Sequence, residues 1–304
     1  MKRTSKKFST LLITFISFLL VVTVGGLFLG RDSLYQWLNR IYQEQLENEE
    51  KPETEETPTP EDNEDEKTGL AGKTISFMGD SITTYSGWNN NTSYNTTIGS
   101  NAVWYTSDRL SSVDYTWWKK TIDTLELKLC VNNSWSGSRV TTTRGESPAS
   151  CMTRATNLHN NNMNIYPDIL CVYIGINDYN GGVTLGSFNS VEEIYDSSTS
   201  SYIGDLTEFA DAYATMVHKI ISTYETADVY LCTLVQYKTA LSSWNNVIKK
   251  IADEFDCNVV DFYEETGITP NNLGIYTIDN LHPSQSGMSK MSECLVASLQ
   301  KNYE

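Results

Sequence analysis

Histidine is scarce in this chain, with three in 304 residues, which disfavours a metal centre built on several imidazoles. Positive charge is also short: 22 Lys and Arg stand against 38 Asp and Glu, a formal net charge of −16. Phosphate contacts need clustered Lys and Arg, so no nucleic-acid partner is expected. No alanine occurs before Ala71, so the N-terminal region offers no A-x-A cleavage site. Neither an internal repeat nor an EF-hand spacing is present. What the chain does have is 39% apolar residues, enough for a large core and too many for a wholly disordered polymer.

The charge falls into blocks. Residues 1–46 carry six basic and two acidic side chains, and residues 47–67 carry eleven acidic and two basic. Lys2, Arg3, Lys6 and Lys7 precede a run of 23 uncharged residues from Phe8 to Gly30. As a helix that run rises roughly 34 Å, enough to span a bilayer. Residues 1–30 are therefore expected to be a cytoplasmic basic flank and an uncleaved signal anchor that sends the remainder outside, a cleaved signal peptide being the rival. Leu34, Leu38, Ile41 and Tyr42 lie at helical spacing in a juxtamembrane segment. The Glu-, Pro- and Thr-rich stretch after it has too few apolar groups to order and reads as a solvated spacer, so 31–72 links the anchor to a globule at 73–304.

In the globule short apolar runs alternate with helical periodicity. Residues 74–79, 127–131, 169–175, 228–235 and 258–262 read as buried strands. Leu206, Phe209, Tyr213, Met216, Val217, Ile220 and Ile221 form one helical stripe, and Leu241, Trp244, Val247, Ile248, Ile251 and Phe255 another. Met288, Met291, Leu295 and Leu299 form a third, near the end of the chain. Strand and helix in alternation predict an α/β fold, a parallel sheet with helices on both faces. Ligands in such sheets sit beyond the carboxyl ends of the strands.

Four blocks stand at such ends. Gly79-Asp80-Ser81 follows the first strand, where a tight turn can expose a serine hydroxyl as a nucleophile requires. Gly137, after the second, can offer an unobstructed N–H to an oxyanion, and Asn177, after the third, a side-chain amide. Asp279 precedes His282 by three residues, so the carboxylate can orient the imidazole. Taken singly, these blocks also fit ordinary turns and polar loops; their force lies in the ordered set.

In that order the blocks resemble the SGNH (GDSL-type) serine hydrolases, with GDSI here in place of GDSL, over roughly residues 73–300. The resemblance implies a flavodoxin-like three-layer sandwich with a mostly five-stranded parallel sheet. It also implies Ser81 as nucleophile, His282 as general base, Asp279 as its orienting acid, and an oxyanion hole formed by the Ser81 N–H, Gly137 and Asn177. No cofactor or metal is implied. The expected activity is hydrolysis of O-acyl esters, O-acetyl in particular. The substrate is an acylated small molecule or polysaccharide, with a carbohydrate or cell-envelope polymer favoured by the spacer's reach. An O-acyltransferase, a lipase or lysophospholipase, and a surface carbohydrate-binding module with incidental activity are the other readings.

Residues 83–114 form a long, polar and aromatic segment, a pattern that marks functional or disordered loops. Trp88, Trp104 and Tyr105, with Trp135 and Tyr179 from neighbouring blocks, are candidates for a sugar-stacking rim; the alternative is that they pin the loop to the core. Asp80 and Asp178 are expected to hold loops by hydrogen bonds to backbone, and His159 and His218 to lie at the surface. The six cysteines are expected to be mostly free, because Cys130, Cys171 and Cys232 fall inside predicted strands and Cys257 beside one.

Overall fold

Runs rich in β-branched and aromatic residues form seven strands in the computed structural model of the chain, which describes residues 69–88, 103–144 and 151–303. The side chains of Arg144, Cys151 and Thr153 are excepted. The chain divides into two units, Met1–Asn63 and Glu64–Glu304, and every described residue belongs to the second. The proposed anchor, the juxtamembrane segment, nearly all of the spacer and residues 89–102 of the long loop lie outside the described residues. Among the described residues no helix is long and apolar enough to cross a membrane.

The strands are β1 (Thr74–Gly79), β2 (Lys128–Asn132), β3 (Ile169–Tyr173), β4 (Tyr195–Asp196), β5 (Ser201–Tyr202), β6 (Asp228–Cys232) and β7 (Asn258–Val260). Five of them build one sheet in the order β2-β1-β3-β6-β7, with every pairing parallel. β4 and β5 form a separate antiparallel ribbon. The strand order reverses between β1 and β3, whose register pairs Gly79 with Tyr173, and this reversal opens the crevice where a doubly wound sheet binds ligands.

Helices cover both faces. They are α1 (Trp117–Thr124), α2 (Cys151–Arg154), α3 (Ile176–Asn180), α4 (Phe209–Thr223), α5 (Leu241–Glu254), α6 (Phe262–Glu265), α7 (Leu273–Tyr276) and α8 (Gln285–Tyr303). Successive strand residues point to opposite faces, and β1 shows it. Phe77 meets Trp117 of α1 edge-on at 5.4 Å, while the Ser76 hydroxyl donates to Leu158 O, just after α2, at 2.8 Å. On the Phe77 side α1 packs along α8, with Thr121 and Ser292 hydroxyls 3.1 Å apart; on the other side α4 packs on α2 and α5. Trp117 also meets Tyr173 and Phe262, so its fully buried indole ties α1 to β3 and to α6.

The helical stripes read from the sequence lie mostly inward: Met288, Met291, Leu295 and Leu299 of α8 are all fully buried, whereas Leu206, Ile221, Val247 and Phe255 are half-buried, Leu206 preceding α4 and Phe255 following α5. Cys130, Cys171, Cys232, Cys257 and Cys294 are free, and the Cys151 side chain lies outside the described residues. A domain of this size buries enough apolar surface to stand without cross-links.

Candidate active site

The turn after β1 is built for a sharp change of direction. A Cβ at Gly79 would meet Thr83 Oγ1 at 2.4 Å and Tyr173 O at 3.0 Å, so no larger residue fits there without displacing its neighbours. Asp80 then caps a short 3₁₀ turn, its Oδ1 accepting the Ile82 N–H at 3.0 Å, and sets Ser81 on the first position of that turn. The Asn132 amide donates to Thr83 O at 2.9 Å and holds the turn against β2.

The partner of Ser81 arrives from the far end of the chain. Residues 277–283 form a narrow loop closed by a bridge between Thr277 and Pro283, with Ile278 N–H donating to His282 O at 2.8 Å. Asn280 occupies the left-handed region at φ +67°, a conformation asparagine tolerates better than most residues. Asp279 Oδ1 accepts the N–H groups of His282 at 2.8 Å and Leu281 at 3.2 Å, while its Oδ2 lies 2.8 Å from His282 Nδ1. His282 Nε2 stands 2.9 Å from Ser81 Oγ. With Nδ1–H donating to the carboxylate, Nε2 is left to accept the Ser81 proton. Ser81, His282 and Asp279 are thus brought together in one hydrogen-bonded series.

Burial lowers the His282 pKa below the ordinary histidine value, opposed by the hydrogen bond and charge of Asp279 and assisted by the Arg109 charge. At Asp279 burial works upward, yet the N–H and imidazole of His282 outweigh it and hold the carboxyl below its usual range. The ring therefore rests neutral and the carboxylate charged at neutral pH, the pairing that proton abstraction from a hydroxyl needs.

The other two blocks meet at the same crevice. Gly137 adopts φ +74°. Asn177, on the first turn of α3, donates from Nδ2 to Ser138 O at 3.0 Å and keeps a second amide hydrogen. Gly175, at φ +130°, lets the chain pass under the Phe209 ring, which a Cβ would meet at 3.0 Å. Asp178 fixes the loop after Gly137: it accepts the N–H groups of Val140 (2.9 Å) and Thr141 (3.0 Å) and the Thr141 hydroxyl (2.7 Å). Asp80 and Asp178 both bind backbone N–H groups, the role read for them from the sequence.

A family model described as GDSL-like lipase/acylhydrolase matches residues 73–299. The chain belongs to that family. It is accordingly an ester hydrolase, and its five-stranded parallel sheet is the architecture the resemblance implied. A crystal structure described as a GDSL-like lipase from Bacteroides ovatus is 25% identical, with a TM-score of 0.58, covering 76% of this chain and 100% of that one. A second, from Bacteroides uniformis, is 24% identical with a TM-score of 0.57, covering 76% and 96%. The fold is shared as well with a family two carbohydrate esterase from Clostridium thermocellum, 17% identical with a TM-score of 0.51, covering 77% and 66%. Among curated proteins no match was found.

The aromatic rim requires correction. Tyr105 is fully buried, its hydroxyl donating to Pro283 O at 2.7 Å, and Trp135 is buried with its backbone N–H donating to Gly79 O at 3.0 Å. Trp104 is half-buried and lies flat on His282, ring centroids 3.6 Å apart at 7°, while the Arg109 guanidinium covers the indole from 4.4 Å. None of these three presents a free aromatic face to a sugar. Tyr179 is half-buried, edge-on to Trp244 with the Lys238 ammonium over its ring. Trp88 alone among the five is exposed. Unpatterned aromatics in a loop give no periodicity from which to read a face, and here the crevice wall has absorbed them. Outside this crevice, His159 is stacked on Tyr166 and His218 is grouped with Tyr195 and Tyr202.

Arg154 had no signal in the sequence. It is fully buried beneath the crevice, where Nη1 donates to Gly79 O at 3.1 Å and to Asn133 O, and Nη2 donates to Ser138 Oγ at 2.8 Å. One guanidinium thus ties the Ser81 turn to the loop carrying Gly137. Thr84 carries no sequence signal either; its hydroxyl donates to Ser81 O at 2.8 Å and accepts the Trp104 N–H at 2.9 Å.

Proposed function

We propose that this chain is a serine esterase that hydrolyses O-acyl esters, O-acetyl in particular, on a carbohydrate or cell-envelope polymer through an acyl-serine intermediate. The observation that carries the reading is the 2.9 Å approach of His282 Nε2 to Ser81 Oγ, with Asp279 Oδ2 on the opposite ring nitrogen at 2.8 Å. In this mechanism Ser81 Oγ attacks the ester carbonyl carbon while its proton passes to His282 Nε2. The tetrahedral oxyanion accepts hydrogen bonds from the Ser81 N–H, the Gly137 N–H and the Asn177 amide. His282 then protonates the departing alcohol oxygen. Water, deprotonated by the same nitrogen, releases the acid and restores Ser81.

The polymer substrate is supported by features of the sequence. The acidic spacer gives reach, the segment after Ser81 is rich in Asn and Ser, and beyond the N-terminal run no long apolar segment could serve as a lipase lid. The layout we infer is a cytoplasmic flank and anchor at 1–30, a spacer at 31–72 and the hydrolase domain at 73–304, held at the cell membrane facing outward. The test is a substrate panel on the full-length chain in detergent, with Ser81→Ala as control. Acetylated xylan, acetylated peptidoglycan, short and long p-nitrophenyl esters and a lysophospholipid make up the panel. Release of free acetate from an acetylated polymer supports the proposal. An acylated acceptor without acetate would make the protein a transferase, and preference for long acyl chains a lipase.

A further inference from the structure

His282 is held from more sides than proton transfer requires. Its two nitrogens are engaged by Ser81 and Asp279, and the Tyr105 ring meets the imidazole edge-on at 6.3 Å. Trp104 covers one face in a parallel stack, and on the indole lies Arg109, whose Nη1 also donates to Trp104 O at 2.6 Å. Guanidinium, indole and imidazole are thus in sequential contact. Thr84 joins this group to the nucleophile by bonding both Trp104 N–H and Ser81 O.

We propose that Trp104 and Arg109 are positioning residues for His282: the indole fixes the imidazole plane between Ser81 and Asp279, and the guanidinium beyond it opposes a second positive charge on the ring. The proposal rests on His282 being the base of the ester hydrolysis proposed above. An aromatic face attracts a cation, so the indole alone would favour the imidazolium, while Arg109, drawing on the same π-system, offsets that preference. The base then rests neutral and takes charge only as Ser81 gives up its proton.

The titratable groups around the ring come from four segments. Asp279 lies on its own loop, Ser81 and Asp80 follow β1, Tyr105 and Arg109 belong to the segment before α1, and Tyr237 follows β6. Burial pushes the Tyr105 and Tyr237 hydroxyls above their ordinary range, so both stay neutral through the working pH. Asp80 is pushed up by its burial to about 7 and can titrate alongside His282, so its contribution has to be separated.

Full-length wild type, Arg109→Met, Arg109→Lys, Trp104→Leu and Trp104→Phe, each also in an Asp80→Asn background, are assayed for kcat and KM against pH on a short p-nitrophenyl ester and an acetylated oligosaccharide. Loss of the Arg109 charge moves the acidic limb to higher pH, so the kcat/KM of Arg109→Met relative to wild type falls roughly twofold to fivefold further near pH 5.5 than on the plateau. Arg109→Lys restores the limb, and raised salt shrinks the difference because the guanidinium is exposed. Trp104→Leu lowers kcat about tenfold at unchanged KM, and Trp104→Phe recovers most of it. A raised KM for the oligosaccharide at unchanged kcat in Trp104→Leu, or superimposable limbs for wild type and Arg109→Met, would overturn the proposal. If wild type and His282→Ala hydrolyse both esters equally, the underlying esterase reading fails instead.

Discussion

Arg154 Nη2 donates to Ser138 Oγ at 2.8 Å from a fully buried position, next in sequence to Gly137 and one guanidinium away from Gly79 O. The fork spans two loops that β1 and β2 deliver separately. A lysine carries the same charge but cannot reach three acceptors in fixed planar geometry. Arg154→Lys is therefore expected to cost about 2–4 kcal/mol of stability and at least tenfold in kcat. Urea denaturation and steady-state rates on a p-nitrophenyl ester check both; an unchanged midpoint would show that the fork is idle.

Ser81→Ala and His282→Ala should each lower kcat by on the order of 10⁴-fold or more, and the double variant should lose little beyond either single one, because the two groups act as a unit. Asp279→Asn should lose on the order of 10²–10⁴-fold, since the amide still bonds the ring but favours the wrong tautomer. Rates on an activated acetyl ester measure all four. Labelling of Ser81 by a fluorophosphonate, absent in His282→Ala, gives a readout independent of turnover.

In the proposed mechanism the Asn177 amide acts where charge develops and not where substrate binds, so Asn177→Ala should lower kcat roughly 10²–10³-fold with KM nearly unchanged. The loss of its bond to Ser138 O adds a small cost in stability. A rise in KM at constant kcat would move Asn177 from the oxyanion to the substrate's ground state.

Asp80 sets a pH dependence of stability. Burial raises its carboxyl to about 7, against the Ile82 N–H and the Arg154 charge that pull it down. A folded value above the unfolded one means that the native state holds the extra proton. Its stabilising contribution is complete below about pH 4 and is lost as pH rises through about 7. Wild type should lose roughly 2–3 kcal/mol from this group between about pH 5 and pH 8, and Asp80→Asn should lose distinctly less. Asp178, also raised by burial, contributes with the same sign and stays in the variant. Denaturation curves at three pH values decide it, and parallel slopes would rule Asp80 out.

The sheet and its chemistry were legible because each strand is an apolar run ending in a distinctive turn. The misjudged boundaries have local causes. β3 stops at Tyr173, not 175, because Gly175 turns the chain into α3. β7 stops at Val260 because Asp261 caps α6, its Oδ1 accepting the Glu264 N–H. β6 ends with its neighbour: after Cys232↔Val260 a last bond runs from Thr233 N–H to Val260 O, and Asn245 of α5 then grips Leu234 through both backbone groups. Arg154 and Arg109 were illegible for a different reason. Each acts by closing against segments distant in sequence, and a lone arginine in a polar stretch carries no periodicity that reveals such a closure. The aromatic residues failed likewise: Trp104 and Tyr105 are adjacent, yet one covers a ring face and the other is wholly buried.

The sequence separation of 201 between Ser81 and His282 sets the order of events during synthesis. A ribosome-bound chain can pair β1 with β2 and β3 long before the narrow loop bearing His282 emerges. That loop is followed directly by α8, which must seat on α1 before the histidine has a fixed place. Ester hydrolysis thus waits on this last helix: until α8 seats, Ser81 has no base within reach, and the emerging chain carries no competent nucleophile past acylated metabolites.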